Sequence, residues 1–318
     1  MCLRSFAAAI LLALAAPLWA QPYPAKPVKL IVPWPPAGVS DILARALAQA
    51  LTETSGQQFV VENKPGAGGT LGMAQVAKSP PDGYTLAASD IPSHAISASL
   101  YAKLPYDVLA DFEPIAVIAG SPMVLVTQPA LNARTVADFI RIAKAKPGMP
   151  YGSSGNGSIT HLAIERMKQE TGISLEHVPF KGTVGAVASV MGGDTVLAFG
   201  TIPGTVPHAR SGKLILLGSS FARRFSQIPD VPPVADTLPG FDMGFYTALF
   251  APAGTPRDIL QRAYGLTERA FADAKLREVY AASAAEPGTM TSAELKAYMA
   301  SEVKSWGDVV RRIGLKID

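Results

Sequence analysis

The chain contains a single cysteine, Cys2, in 318 residues. A disulfide framework and a thiolate metal site are therefore excluded. Histidine is scarce too, with 4 residues. His94, His177 and His208 have no partner at a metal-binding spacing, and a lone pair such as His161 and Glu165 on one helix face is more often structural than zinc-binding. Charge is low and balanced, with 28 Lys and Arg against 25 Asp and Glu for a formal net charge of +3. No basic stripe recurs with aromatic residues, so a nucleic-acid partner is not expected. Beyond Ala20 no window approaches the roughly 20 apolar residues of a membrane span, and the body of the chain reads as a soluble protein.

What is present begins with a leader. Arg4 precedes the apolar run "FAAAILLALAA", Phe6 to Ala16, too short for a bilayer but suited to the core of a secretory signal. We expect a signal peptide over residues 1–20, cleavage after Ala20 and loss of Cys2 with the leader. The remaining length, with 48% hydrophobic residues overall, favours two domains over one.

Short apolar runs, "VKLIVP", "QFVVEN", "YTLAAS", "MVLVTQ" and "LILLGS", alternate with amphipathic helical patterns. That alternation predicts α/β architecture with largely buried sheets. In "VPWPPAGVSDILARALAQAL", three prolines stiffen a turn between a strand and a helix, Gly38 permits close approach, and Ser40 is the expected N-cap. Two further stretches repeat the device: "NKPGAGGTLGMAQVAK" with Gly68, Gly69 and Thr70, and "YGSSGNGSITHLAIERM" with Ser154, Asn156, Gly157 and Ser158, the last a plausible cap. Loops at the carboxyl ends of strands bind ligands in open α/β sheets, and free N–H groups at helix starts favour anions. Three neutral entrances of this kind point to carboxylate groups.

Other chemistries fit less well. "GAGGTLG" misplaces the third glycine of a dinucleotide fingerprint, no phosphate loop occurs, and in "GSSGN" Asn156 stands where the hydrolase nucleophile motif needs glycine. No set of nucleophile, base and orienting group is apparent, so no enzyme activity and no cofactor are expected.

The stretches "YPAKPVKLIVPWPPAGVSD", "VVENKPGAGGTLG", "PPDGYTL", "YGSSGNGSITHLA", "VPFKG", "PDVPPVADTLPGF", "APAGTP" and "EVKSWGDVVRRIGLKID" together resemble the periplasmic receptors of tripartite tricarboxylate transporters, the TctC or Bug family. The resemblance implies an α/β, two-lobed periplasmic binding protein of Venus-flytrap, type II-like form, with "PMVLVTQ" and "FYTALFAP" as crossing strands and hinge. It places lobe 1 at residues 21–124 plus 249–318 and lobe 2 at 125–248. It implies a periplasmic monomer that binds a small carboxylate and delivers it to membrane transporter subunits; a ligand-sensing subunit or, less well supported, an exported hydrolase are the alternatives. Pro36, Ala37, Gly38 and Ser40 would hold one carboxylate, Gly68, Gly69, Thr70 and Ser89 would line the same lobe, and Ser154, Asn156, Gly157 and Ser158 would close from the other. Phe199, Gly200 and Tyr246 would shape the floor. Asp41 reads as a stabiliser of its helix, and Lys181 as a solvated or inter-lobe lysine rather than the alternative, a cation for the ligand. The sequence departs from the family pattern at Ala37, Thr195, Val196, Gly200, Tyr246 and Ala248. Lacking acidic groups at 195, 196 and 200, it favours a dicarboxylate, or an aromatic carboxylate against Trp34, Phe199 or Tyr246, over an amino acid.

Overall fold

Val28–Val32 form the first strand, β1, four of whose five residues are buried, as expected for a strand covered on both faces. In the computed structural model, residues 23–316 apart from Ser226 are described; the expected signal peptide and Cys2 lie outside them. Helix α1 (Val39–Ser55) follows β1, buries Leu43, Leu47 and Leu51, and stops at Gly56 in the left-handed conformation. Each of those leucines contributes about 1.5–3 kcal/mol through burial. The helix begins two residues earlier than expected, so Gly38 is its N-cap and Ser40 sits inside the first turn with its side chain free of a capping role.

Strand β2 (Phe59–Asn63), helix α2 (Thr70–Ala77), strand β3 (Thr85–Asp90) and helix α3 (Ile91–Leu100) complete a parallel unit in which β1 lies between β2 and β3. Strand β4 (Phe112–Thr127) then runs for 16 residues. The chain continues through α4 (Val136–Ala145), β5 (Met149–Ser153), α5 (Ile159–Thr171), β6 (Leu175–Pro179), α6 (Thr183–Gly192), β7 (Leu197–Thr201), α7 (Ile202–Arg210) and β8 (Ile215–Ser219). It returns through β9 (Gly244–Pro252) and ends in α8 (Arg257–Ala270), α9 (Ala274–Ala282) and α10 (Ser292–Ile313), the last opened by a capping box of Thr291 and Glu294.

The strand order is β2-β1-β3-β9-β4-β7-β5-β6, with β8 on the second edge of β4. Strand β4 changes neighbours along its length. Phe112 to Pro122 pair with β9, whereas Met123 to Thr127 pair with β7 and β8. Strand β9 pairs with β3 on its other side through Thr247 to Phe250. One core cluster takes residues from both ends of the sheet, including Leu30, Leu43, Phe139, Tyr151, Leu162 and Phe199. Among the described residues no helix is long and apolar enough to cross a membrane.

Candidate functional site

The loops at the carboxyl ends of β1, β2, β5 and β6 converge. The β1–α1 loop is fixed from behind by Asp41, a side chain only 3% exposed. Its carboxylate accepts the Ala37 amide (3.0 Å), Arg45 Nε (3.0 Å) and Asn63 Nδ2 (2.8 Å), while the same Asn63 nitrogen donates to the Trp34 carbonyl at 2.9 Å. Asp41 thus organises the loop as well as the helix start, and Ala37 is held at a φ of 65°, where a glycine would be unstrained.

In the β2–α2 loop four successive residues, Gly66, Ala67, Gly68 and Gly69, have positive φ. Its turned-out backbone meets the β5–α5 loop. A Cβ on Gly68 would lie 2.7 Å from the Asn156 carbonyl oxygen, so glycine is needed for this approach. Ser93 Oγ accepts the Ile159 amide at 3.2 Å, and a Cβ on Gly182 would sit 3.1 Å from the Pro35 ring.

Two cavities occupy this junction. A narrow one of about 40 Å³ is lined by Trp34, Pro35, Pro36, Gly38, Val39 and Ser40 from one side, by Ser154, Lys181, Gly182, Thr183 and Val184 from the other, and by Phe245. Its neighbour, about 370 Å³, shares Trp34, Pro35, Ser154 and Lys181 and adds Gly66, Gly68, Tyr101 and Asn156. Among the described residues no Asp or Glu lines either cavity. The residues singled out from the sequence divide accordingly: Pro36, Gly38, Ser40, Gly68, Ser154 and Asn156 face these cavities.

The others do not. Gly69 packs against Pro33 and Trp34, and the Thr70 hydroxyl is spent on the Ala67 carbonyl at 2.9 Å. Ser89 alternates onto the face of β3 shared by Ala87, opposite Asp90. Gly157 packs on Leu100, and Ser158 caps α5 as expected, accepting the His161 amide. Phe199 is fully buried against Phe241. Gly200 faces Thr205 and Val187, and Tyr246 points to the reverse side of the sheet, against Phe221 and Tyr298. A motif does not reveal which face of a strand a residue takes: Phe199 and Gly200, neighbours on β7, take opposite faces, and both meet packed side chains rather than these cavities.

The "SSGNG" loop is largely self-satisfied. Ser154 N donates to Thr160 Oγ1 at 2.9 Å, Gly155 N to Ser153 Oγ at 3.1 Å and Gly157 N to His161 Nδ1 at 3.1 Å. Asn156 is exposed, and its side chain is free of partners within the described residues. Behind the loop the His161 and His177 rings stack at 3.8 Å, and His177 Nε2 meets Ser153 Oγ at 2.6 Å. Burial first, then the neighbouring His177 and Lys168, pushes His161 down to about 3. His161 is therefore neutral, with Nδ1 as acceptor and the proton on Nε2.

The sequence reading singled out Lys181 and Trp34 but not Phe245, which joins them in the wall of the narrow cavity. Lys181 is exposed, lines both cavities and has no carboxylate partner among the described residues. The signal for it was "PFKGT", a fourth strand-to-helix entrance with Gly182 at its N-cap.

The tripartite tricarboxylate transporter family receptor model matches residues 43–315. BugT of Bordetella pertussis is 36% identical over 307 residues, covering 96% of this chain and 94% of its own. R. palustris Rpa4515, solved with adipate, is similar at 30% identity with a TM-score of 0.87, over 92% of this chain and 99% of that one. MatC from Rhodopseudomonas palustris, solved with bound malate, is 28% identical with a TM-score of 0.85, over 91% and 100%. The solved relatives share the two-lobed architecture of periplasmic binding proteins, and the family consists of periplasmic solute-binding receptors, not enzymes. Sequence, fold and site geometry agree that this chain belongs to the TctC family of tripartite tricarboxylate transporter receptors.

Proposed function

We propose that the protein is exported to the periplasm, binds a small carboxylate between two lobes and presents it to the membrane subunits of a tripartite tricarboxylate-type transporter. The observation that carries this reading is the lining of the paired cavities: helix entrances from both sides, the Lys181 ammonium and, among the described residues, no acidic side chain. Backbone N–H groups at helix starts and a lysine both favour an anion, and an unpaired ammonium at the same place would be penalised by several kcal/mol. Related proteins solved with adipate and malate support a dicarboxylate. The reading assigns Pro36, Gly38, Ser40, Gly68, Ser154, Asn156 and Lys181 to ligand contact. The pairing of β9 with the first part of β4, and of its Thr247 to Phe250 with β3, supports lobes at residues 23–122 plus 244–316 and 123–243, beside the bounds of 124 and 249 expected from sequence.

A thermal-shift screen of mono-, di- and tricarboxylates tests the proposal. A ligand at a hundredfold excess over its dissociation constant stabilises the folded state by about 2.7 kcal/mol, a rise of several degrees for a protein of this size. A flat response to every carboxylate, with amines or sugars shifting the transition instead, overturns it.

A further inference from the structure

Phe245 and Tyr246 are neighbours on β9, and successive strand residues point to opposite faces. Phe245 lines the narrow cavity of the cleft, whereas Tyr246 lines a cavity of about 350 Å³ on the reverse side. The two cavities therefore lie on opposite faces of the strands that join the lobes. The rear cavity has one wall from each lobe: Glu286 and Thr289 stand on the wall of the first, Ala222 and Arg223 on that of the second.

Each wall is fastened to β4 on its own side of the crossing. The Glu286 backbone exchanges two hydrogen bonds with that of Gly120, at 2.8 and 2.9 Å. On the other side Ser220, two residues before the second wall's Ala222, donates its amide to the Met123 carbonyl at 2.9 Å and accepts the Met123 amide on Oγ at 2.8 Å. Between Gly120 and Met123 strand β4 leaves β9 for β7 and β8. A bend confined to these few residues, the usual form of a hinge, moves one wall against the other. In front the lobes already touch, Gly68 against the Asn156 carbonyl, Gly182 against Pro35, and Ser93 Oγ on the Ile159 amide, so the cleft is closed in this conformation. Opening parts those contacts, and rotation about strands that lie between two cavities narrows the rear one as it widens the front. Arg223 and Glu286 are ion-paired across the rear rim, but both side chains are exposed and long enough to swing aside as the walls approach.

We propose that the rear cavity is the space consumed when the cleft opens, so that bulk placed on its walls at Ala222 or Thr289 holds the lobes closed and strengthens ligand binding from the far side of the hinge. This inference rests on the two-lobed receptor reading and goes beyond it in naming residues that set affinity without touching the ligand. A receptor whose closed form is only a fraction of the free population binds with an affinity reduced by that fraction, and a change that raises the fraction returns the difference. Closed lobes also delay escape, so the gain falls in the dissociation rate, where most affinity changes within one complex are found.

The test adds the bulk after folding. In a Cys2→Ser background, which removes the chain's single cysteine, Ala222→Cys and Thr289→Cys are alkylated with N-phenylmaleimide, both positions being exposed; Val60→Cys, exposed on β2, is the control remote from the hinge. Each protein is titrated calorimetrically with adipate and malate before and after alkylation, and the radius of gyration of the unliganded protein is measured by X-ray scattering. Alkylation at 222 or 289 should tighten binding of whichever diacid the unmodified protein takes by about threefold or more and lower the unliganded radius of gyration, while alkylation at 60 changes neither. Unchanged affinity and radius after complete modification at both wall positions overturn the inference, as does weaker binding or a larger radius. Resistance of both wall thiols to the reagent means that the walls already meet, and overturns it as well. Failure of these diacids and every other carboxylate to bind removes the carboxylate reading, and the scattering comparison then decides the inference by itself.

Discussion

Acidification should unfold this protein through the stacked imidazoles behind the "SSGNG" loop. His161 is 2% exposed and held at about 3, chiefly by burial, against an ordinary value of about 6.5. Between these values the unfolded chain binds a proton that the folded chain refuses, so stability falls as pH falls below about 6.5 and keeps falling until His161 titrates in the fold. The slope for one such group is about 1.4 kcal/mol per pH unit. From pH 7 to pH 4.5 His161 alone accounts for about 2–3 kcal/mol. His177, pushed down to about 4 by burial but half-exposed, adds a smaller share because solvent screens it. The groups facing the pair are Tyr151, Glu165, Lys168 and Ser153; Glu165 is tied to Tyr151 Oη at 2.6 Å and Lys168 Nζ at 2.7 Å. Urea unfolding of wild type and His161→Asn at a series of pH values isolates the effect, since the asparagine oxygen can replace Nδ1 as acceptor for Gly157 without titrating. The carboxylates common to both proteins cancel in the difference. Stability curves that run parallel from pH 7 to 4.5 would refute the reasoning.

Three other outcomes follow from the loops. Ala37→Gly relieves a left-handed alanine worth about 1–2 kcal/mol and gives back part of that through unfolded-state entropy, so urea unfolding should show a net gain of about 0.5–1 kcal/mol; a loss would mean that the methyl group makes a contact outweighing its strain. Asp41→Ala strands the Ala37 amide, Arg45 and Asn63 Nδ2 and should destabilise by about 2–4 kcal/mol, visible as a lower urea midpoint. Asn156→Ala removes an exposed side chain without internal partners, so the melting temperature of the unliganded protein should stay within a degree or two while carboxylate affinity drops by about 1–3 kcal/mol; unchanged affinity in calorimetry takes Asn156 out of the site.

Much of the fold was legible because it is written in local pattern. The alternation of apolar runs with helical periodicity identified an α/β chain, and the strands in "VKLIVP" and "QFVVEN" fall where expected. Glycine-rich entrances could be read because positive φ and close approach are backbone demands, met at Gly68 and Gly182. Face and depth were less accessible. Thr247 and Tyr246 are neighbours in sequence, yet one shares its face with Asp90 and the other backs onto Phe221. Nothing in "FYTALFAP" specifies the register that decides between them.

The position of β9 between β3 and β4 also governs the order in which the chain can assemble. Strands β1 to β4 are made early, but the place between β3 and β4 stays open until residues 244–252 emerge. Every strand that pairs with the end of β4 is synthesised before then, so the region from Met123 to Met243 can close its own sheet first. The first region must meanwhile keep the edges of β3 and β4 apart and unpaired, with Ala87, Ala88, Val117 and Ala119 awaiting their cover. Such edges invite wrong pairing while they wait. The last strand to arrive is therefore the one that joins the early strands into a sheet, and folding of the whole is timed by a segment more than 150 residues downstream of β3.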